Sequence, residues 1–143
     1  MAEALRQRGH RVTAQRLAVV RALAGDSSHP TAQALYERLH GRVRGLSVAT
    51  VYNTLAVLRA AGLCEELSLG PGASRFDPMV APHDHAVCDR CGAVRDIFAP
   101  GASAPSEALL PEGFRVRAVE RVVRGLCAAC TTAAALDGRA RAP

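Results

Sequence analysis

The stretch Asp77–Asp96, DPMVAPHDHAVCDRCGAVRD, constrains this chain more than any other. It holds His83 and His85, the pair Cys88 and Cys91, and an aspartate at each end. His-x-His puts two imidazoles on one face of a strand, because strand side chains alternate with period two. Cys-x-x-Cys carries two thiolates round a tight turn at Asp89-Arg90, so that both reach one metal ion. Two sulfurs fill half of a tetrahedral site. The other half is Cys127 and Cys130 in GLCAAC, with 35 residues between the two pairs. Paired C-x2-C knuckles of this kind read as a structural zinc site of four thiolates, with a small fold element between them. The histidines and aspartates then belong to a second site. Their nitrogen and oxygen donors suit iron(II), manganese(II) or zinc(II) better than copper(I).

A chain of 143 residues suggests one or two small domains, each marginal if alone. Its charge is unevenly placed. Residues 1–63 carry nine arginines against Glu3, Asp26 and Glu37, a net +6, whereas residues 64–143 carry nine against ten acids, a net −1. A basic first half followed by a near-neutral second half points to a nucleic-acid module joined to something else. A solvated basic face gives the same asymmetry, so charge alone does not decide. All 18 basic residues are arginine, a compositional bias that carries no mechanism. Cysteines arranged as metal pairs fit a reducing compartment. The first residues, MAEALRQRGH, contain no apolar signal core, and no apolar run reaches the ~18 residues of a membrane span. The expected location is the cytoplasm.

The patterning predicts a short helix from Ala2 to Gln7, and one from Ala14 to Ala24 capped by Thr13 with Leu17, Val20 and Leu23 on one face. A third helix is expected from Thr31 to His40, using Ala34, Leu35 and Leu39, and a fourth from Val48 to Ala61, capped by Ser47 and closed by Gly62. Leu63–Leu69 and Ser74–Phe76 read as a hairpin round Gly70-Pro71-Gly72. Helices followed by a hairpin make a winged helix-turn-helix. After it come strands at His83–Cys88 and Ala93–Phe98, a short helix at Ser103–Leu110, a long strand at Phe114–Gly125, and a short apolar helix. The expected fold class is α+β: a winged-helix DNA-binding domain over residues 1–77, a hinge at 78–82, and a small α/β metal-binding dimerisation domain over 83–143.

The fourth helix, SVATVYNTLAVLRAAG, is the candidate recognition helix. Its early turns offer Ser47, Thr50, Tyr52 and Asn53, while Val51, Leu55 and Leu58 face inward. Asn contacts adenine edges bidentately, and Tyr or Thr touches a thymine methyl or a phosphate. Arg11 and Arg16, at the start of the second helix, suit phosphate or minor-groove contact.

Taken together, RVTAQR, HPTAQALYERL, SVATVYNTL, RFDP, HDHAVCDRCG and GLCAAC resemble, in this order, the Fur family of metal-dependent bacterial repressors. The resemblance covers most of residues 5–132. It implies a homodimer that binds double-stranded operator DNA as an inverted repeat. It also implies structural zinc on Cys88, Cys91, Cys127 and Cys130, and a regulatory metal, iron(II) or manganese(II), on His29, Asp77, His83, His85 and Asp96. Within the family the chain is most similar to the peroxide-sensing PerR/CatR branch. Asp77 and Asp96 stand where iron-sensing members usually carry glutamate, and Asn53 stands where they often carry arginine. That branch implies a protein consumed rather than turned over, in which iron-catalysed oxidation modifies a ligand histidine, His29 or His83. It is therefore not an enzyme. Two rival readings are a regulator of iron, manganese or zinc uptake with the same fold, and a zinc-stabilised thiol redox protein. His29 has a plainer reading as a helix-capping residue and Cys64 as a small buried apolar one.

Overall fold

The computed structural model describes residues 1–70, 72–98, 110–116, 119 and 121–139, with side chains given as far as residue 133. The described chain divides into two compact units, Met1–Ala81 and Pro82–Pro143. The fold is α+β.

The first unit contains α1 (Ala2–Gln7), α2 (Ala14–Leu23), α3 (Ala32–Leu39), α4 (Val48–Ala60), β1 (Glu65–Leu67) and β2 (Arg75–Asp77). Three of the helices start on a hydroxyl. Thr13 Oγ1 accepts the Arg16 N–H, Thr31 Oγ1 that of Ala34, and Ser47 Oγ that of Thr50. Each satisfies one of the backbone donors a helix leaves open at its first turn. The helices close on an aliphatic core of Leu5, Val19, Val20, Leu23, Leu35, Val51, Leu55 and Leu58, with Phe76 from the hairpin. Two details differ from the sequence pattern. Val19 rather than Leu17 joins Val20 and Leu23 in the core, and Ala32 rather than Ala34 is buried beside Leu35. Alternative apolar stripes a residue or two apart lie within one wide helix face, and only packing chooses between them. Cys64 is buried in the same core.

The hairpin β1–β2 is the wing. Its strands pair antiparallel with Glu65 opposite Asp77 and Leu67 opposite Arg75. β1 is shorter than the Leu63–Leu69 stretch that its residue types suggest, since β2 offers only three residues to pair with.

The second unit is a three-stranded sheet ordered β4-β3-β5, made of β3 (Asp84–Cys88), β4 (Val94–Ile97) and β5 (Val122–Gly125), followed by α5 (Ala128–Arg139). β3 and β4 are antiparallel across the first knuckle, and β5 runs parallel to β3. The long strand expected from Phe114 to Gly125 is corrected here. Phe114–Val116 are not in a strand, and the paired segment is Val122–Gly125. The physical reason is the partner: β3 presents only His85–Cys88 to that edge, so pairing ends where β3 ends. The helix expected at Ser103–Leu110 falls outside the described residues, apart from Leu110 itself. No helix of the described residues is long and apolar enough to cross a membrane.

Candidate functional site

Two clusters of donor atoms and one helix surface carry the chemistry. In the second unit the four cysteines offer Sγ atoms that all lie within 4.8 Å of one another. Local backbone builds this cluster. Gly92, at φ 68°, takes a left-handed conformation that side chains resist, and its N–H returns to the Cys88 carbonyl at 2.8 Å, closing the first knuckle. The second knuckle is tied to the first by parallel pairing, since the Asp89 N–H donates to the Gly125 carbonyl at 2.8 Å. The Cys127 N–H then donates to Cys88 Sγ at 3.3 Å, and Cys91 Sγ lies 3.8 Å from Cys127 Sγ. Metal–sulfur bonds of about 2.3 Å at tetrahedral angles separate adjacent sulfurs by about 3.8 Å. The donor set therefore fits a tetrahedral soft-ligand ion.

The thiol acidities follow from the same geometry. N–H groups of Cys127, and then of Cys91 and Arg90, draw Cys88 down to about 6. Burial, and then the neighbouring sulfurs, push Cys130 up to about 12. Four thiols this close cannot all ionise by themselves, whereas a bound divalent cation favours the thiolate at each. Cys64 differs. Burial first, and then the Glu66 carboxylate, raise its thiol to about 11. At neutral pH it is a protonated, enclosed side chain, whereas redox chemistry needs a reactive thiolate.

The second donor cluster has members in both units. In the first unit, residues 29–31 run alongside the wing. Thr31 bridges to Arg75, the Phe76 N–H donates to the Pro30 carbonyl at 3.0 Å, and Arg75 Nη1 donates to the His29 carbonyl at 3.1 Å. This lacing brings His29 Nε2 to 3.5 Å from Asp77 Oδ2, with both side chains essentially buried. Asp77 is oriented by its other oxygen, which accepts the Met79 N–H at 2.7 Å. His29 is the one non-glycine residue with positive φ among the described residues, at 51°. Such a backbone costs roughly 1–3 kcal/mol and persists only where its surroundings impose it, frequently at functional sites. The carbonyl link to Arg75 is one such imposition. Sequence reasoning missed Arg75, because a backbone carbonyl leaves no sequence pattern.

In the second unit His83, just before β3, and His85 on it hold their rings with centroids 4.5 Å apart. His85 stands opposite Asp96 in the antiparallel register, and His83 Nε2 lies 3.5 Å from Asp96 Oδ1. Phe98 stacks on the His83 ring at 5.6 Å. Metal–ligand bonds of about 2.1 Å separate neighbouring donor atoms by about 3.0–3.4 Å. The spacings of 3.5 Å in each unit are close to that range.

The proposed DNA-contact residues fall on two elements. Tyr52, half exposed, and Asn53 project from α4, opposite the buried Val51, Leu55 and Leu58. Ser47 and Thr50 are engaged with each other, Oγ to Oγ1 at 2.9 Å, as part of the cap. Arg16 Nη1 donates to the Arg11 carbonyl at 2.6 Å, which fixes the turn entering α2 and leaves the Arg11 side chain exposed. Arg6, Arg38 and Arg59 are neutralised by Glu3, Asp26 and Glu66.

The model of the Ferric uptake regulator family matches residues 7–122, the span holding the wing, the His/Asp residues and the first knuckle. The chain belongs to the Ferric uptake regulator (Fur) family. It is 39% identical over 130 residues to the peroxide operon regulator of Bacillus subtilis (strain 168), covering 90% of each chain. Among solved structures, a zinc-bound manganese uptake regulator superposes with TM-score 0.70 at 29% identity, over 87% of this chain and 96% of that one. PerR from Streptococcus pyogenes superposes with TM-score 0.52 at 30% identity, over 90% and 88%. The winged helix followed by an α/β dimerisation domain is the Fur architecture, and members are transcriptional regulators rather than enzymes.

Proposed function

We propose that this Fur-family protein is a metal-dependent, peroxide-responsive transcriptional repressor. The observation that carries the reading is the pair of half-sites. A buried His29–Asp77 pair belongs to the winged-helix unit and a His83–His85–Asp96 cluster to the sheet unit, in a chain similar over nine-tenths of its length to a peroxide operon regulator. In this reading residues 1–77 bind DNA, 78–82 are the hinge, and 83–143 dimerise and hold zinc on Cys88, Cys91, Cys127 and Cys130. In the same reading the five His and Asp residues would hold one regulatory ion, iron(II) or manganese(II), which would tie the two halves together and, as iron, supply reactivity with peroxide. His29 and Asp77 clamp the DNA-binding half and the other three clamp the dimer half, so binding fixes one relative orientation. A two-fold dimer so fixed presents its recognition helices one helical turn apart, ~34 Å, to an inverted repeat. A shift from mostly released to mostly bound requires the ion to favour the clamped state by about 5 kcal/mol.

DNA binding tests the first half. Tyr52→Ala or Asn53→Ala is expected to weaken operator binding by ~1–3 kcal/mol while sparing non-specific binding, the pattern of a lost base contact. Arg11→Ala is expected to weaken both and to flatten the salt dependence, the pattern of a lost phosphate contact. Titration of operator and random duplex across a salt series separates the two. Unchanged operator affinity in both helix variants removes α4 from the groove.

A further inference from the structure

Beside the recognition helix lies a groove of about 370 Å³ walled by α4 and the wing, with Ala32 at the start of α3 also lining it. Tyr52, Ala56 and Arg59 line one side, at helical spacings of four and three residues, and the wing turn from Gly72 to Ser74 lines the other. Small residues keep the groove open where the helix and the turn approach. Its one cation is Arg59, and Arg59 Nη1 is bound to Glu66 on β1. The arginine side chain is 59% exposed and the glutamate 29% exposed.

We propose that this groove seats a backbone phosphate of DNA on Arg59, with Glu66 as the internal competitor that the phosphate displaces. The inference rests on the DNA-binding reading above. When a winged helix enters the major groove, the phosphate strand bordering that groove passes the cleft between helix and wing. Arg59 stands in that cleft, on the helix face that also carries Tyr52. An exposed Arg–Glu pair is worth little in water, so its exchange for a phosphate costs little. A guanidinium forms strong bidentate bonds to phosphate. Glu66 keeps the cation in place in free protein and lowers its attraction for stray anions. Placed towards the end of α4, Arg59 escapes a reading that looks for contacts in the helix's first turns.

The test uses full-length, manganese(II)-loaded protein and a labelled random-sequence duplex, because a phosphate contact is independent of sequence. Arg59→Gln is expected to weaken binding and to flatten the slope of log affinity against log salt by about 0.9, the value of one phosphate contact. Glu66→Gln is expected to strengthen binding roughly threefold, by releasing the cation from a surface pair. The opposite signs are the signature. Weakened binding in both variants, in step with lowered melting temperatures, means that the pair only ties the wing to the helix, and overturns the proposal. An unchanged slope in a folded Arg59→Gln protein also overturns it. If Arg59→Gln does not fold, Arg59→Lys and Glu66→Gln carry the test, and failure of Glu66→Gln to strengthen binding overturns it. Arg11→Ala separates this inference from the reading beneath it. If Arg11→Ala weakens binding and Arg59→Gln does not, only the groove assignment falls. If the unmodified protein binds no duplex, both fall.

Discussion

Cys127→Ser is expected to lose tightly held zinc and the dimer together. Cys127 contributes twice to its cluster. Its Sγ lies 3.8 Å from that of Cys91, and its N–H donates to Cys88 Sγ. The residue also sits between the end of β5 at Gly125 and the start of α5 at Ala128, so the knuckle fastens both elements to β3. β5 is exposed along its whole length, including its apolar Val122 and Val123, and Leu126 just after it is exposed too. A segment with so little internal burial depends on the metal for its position. Binding of zinc by such thiolate sets is worth on the order of 10 kcal/mol in small peptide sites. Serine leaves three sulfurs and a weak neutral donor. Metal content by elemental mass spectrometry and mass by sedimentation give the two readouts. Cys64→Ser is the control, expected to keep both, because Cys64 lies in the core of the other unit. A Cys127→Ser protein that remains dimeric with full zinc overturns the structural-zinc assignment.

What the sequence made legible, and what it did not, follows from the range of the forces involved. Thr13, Thr31 and Ser47 mark helix starts, because a cap is a contact between residues three apart. The knuckles are legible for the same reason: ligand spacing is local chemistry. The inward faces of α2 and α3 were legible only to within a residue, since the choice between Leu17 and Val19 is made by neighbouring helices. The alternation in FRVRAVERVVRG reads as one long strand, yet the strand ends where β3 stops offering partners. The lacing of residues 29–31 onto the wing lay furthest from view. It joins His29 to Arg75 across 46 positions through a carbonyl oxygen, and carbonyls are the same in every residue. That link holds the carbonyl of His29, one of the two histidines proposed to take up oxygen.

Hydrogen peroxide is expected to add one oxygen atom to the peptide carrying His29 or His83 when the iron(II) form is exposed to low concentrations, with loss of operator binding. Iron(II), if held by these residues, would activate peroxide beside the rings, and the electrons that reduce it would come from the imidazole. The balance is simple: one imidazole carbon gains the oxygen, peroxide leaves as water, and the ring loses two electrons in all. His29 is fully buried against Asp77, and His83 lies under the Phe98 ring beside Asp96. Each imidazole is thus held against a carboxylate, buried where a metal held by these residues would place it close to any oxidant. The cluster sulfurs would be shielded if they coordinate zinc, and Cys64 is shielded by its protonated, buried state. Manganese(II) lacks that facile chemistry, so the manganese form is expected to keep its operator through the same treatment. Asp96→Glu tests the geometry. The longer side chain moves the carboxylate relative to His83 and changes the positions open to peroxide. This variant is expected to bind DNA with iron and to resist peroxide. Peptide mass spectrometry before and after peroxide, alongside operator binding, reads all three forms. Operator release with both histidine peptides unmodified and Cys64 oxidised hands the response to the thiol. Metal-specific operator binding that peroxide leaves untouched instead makes the protein a regulator of metal uptake.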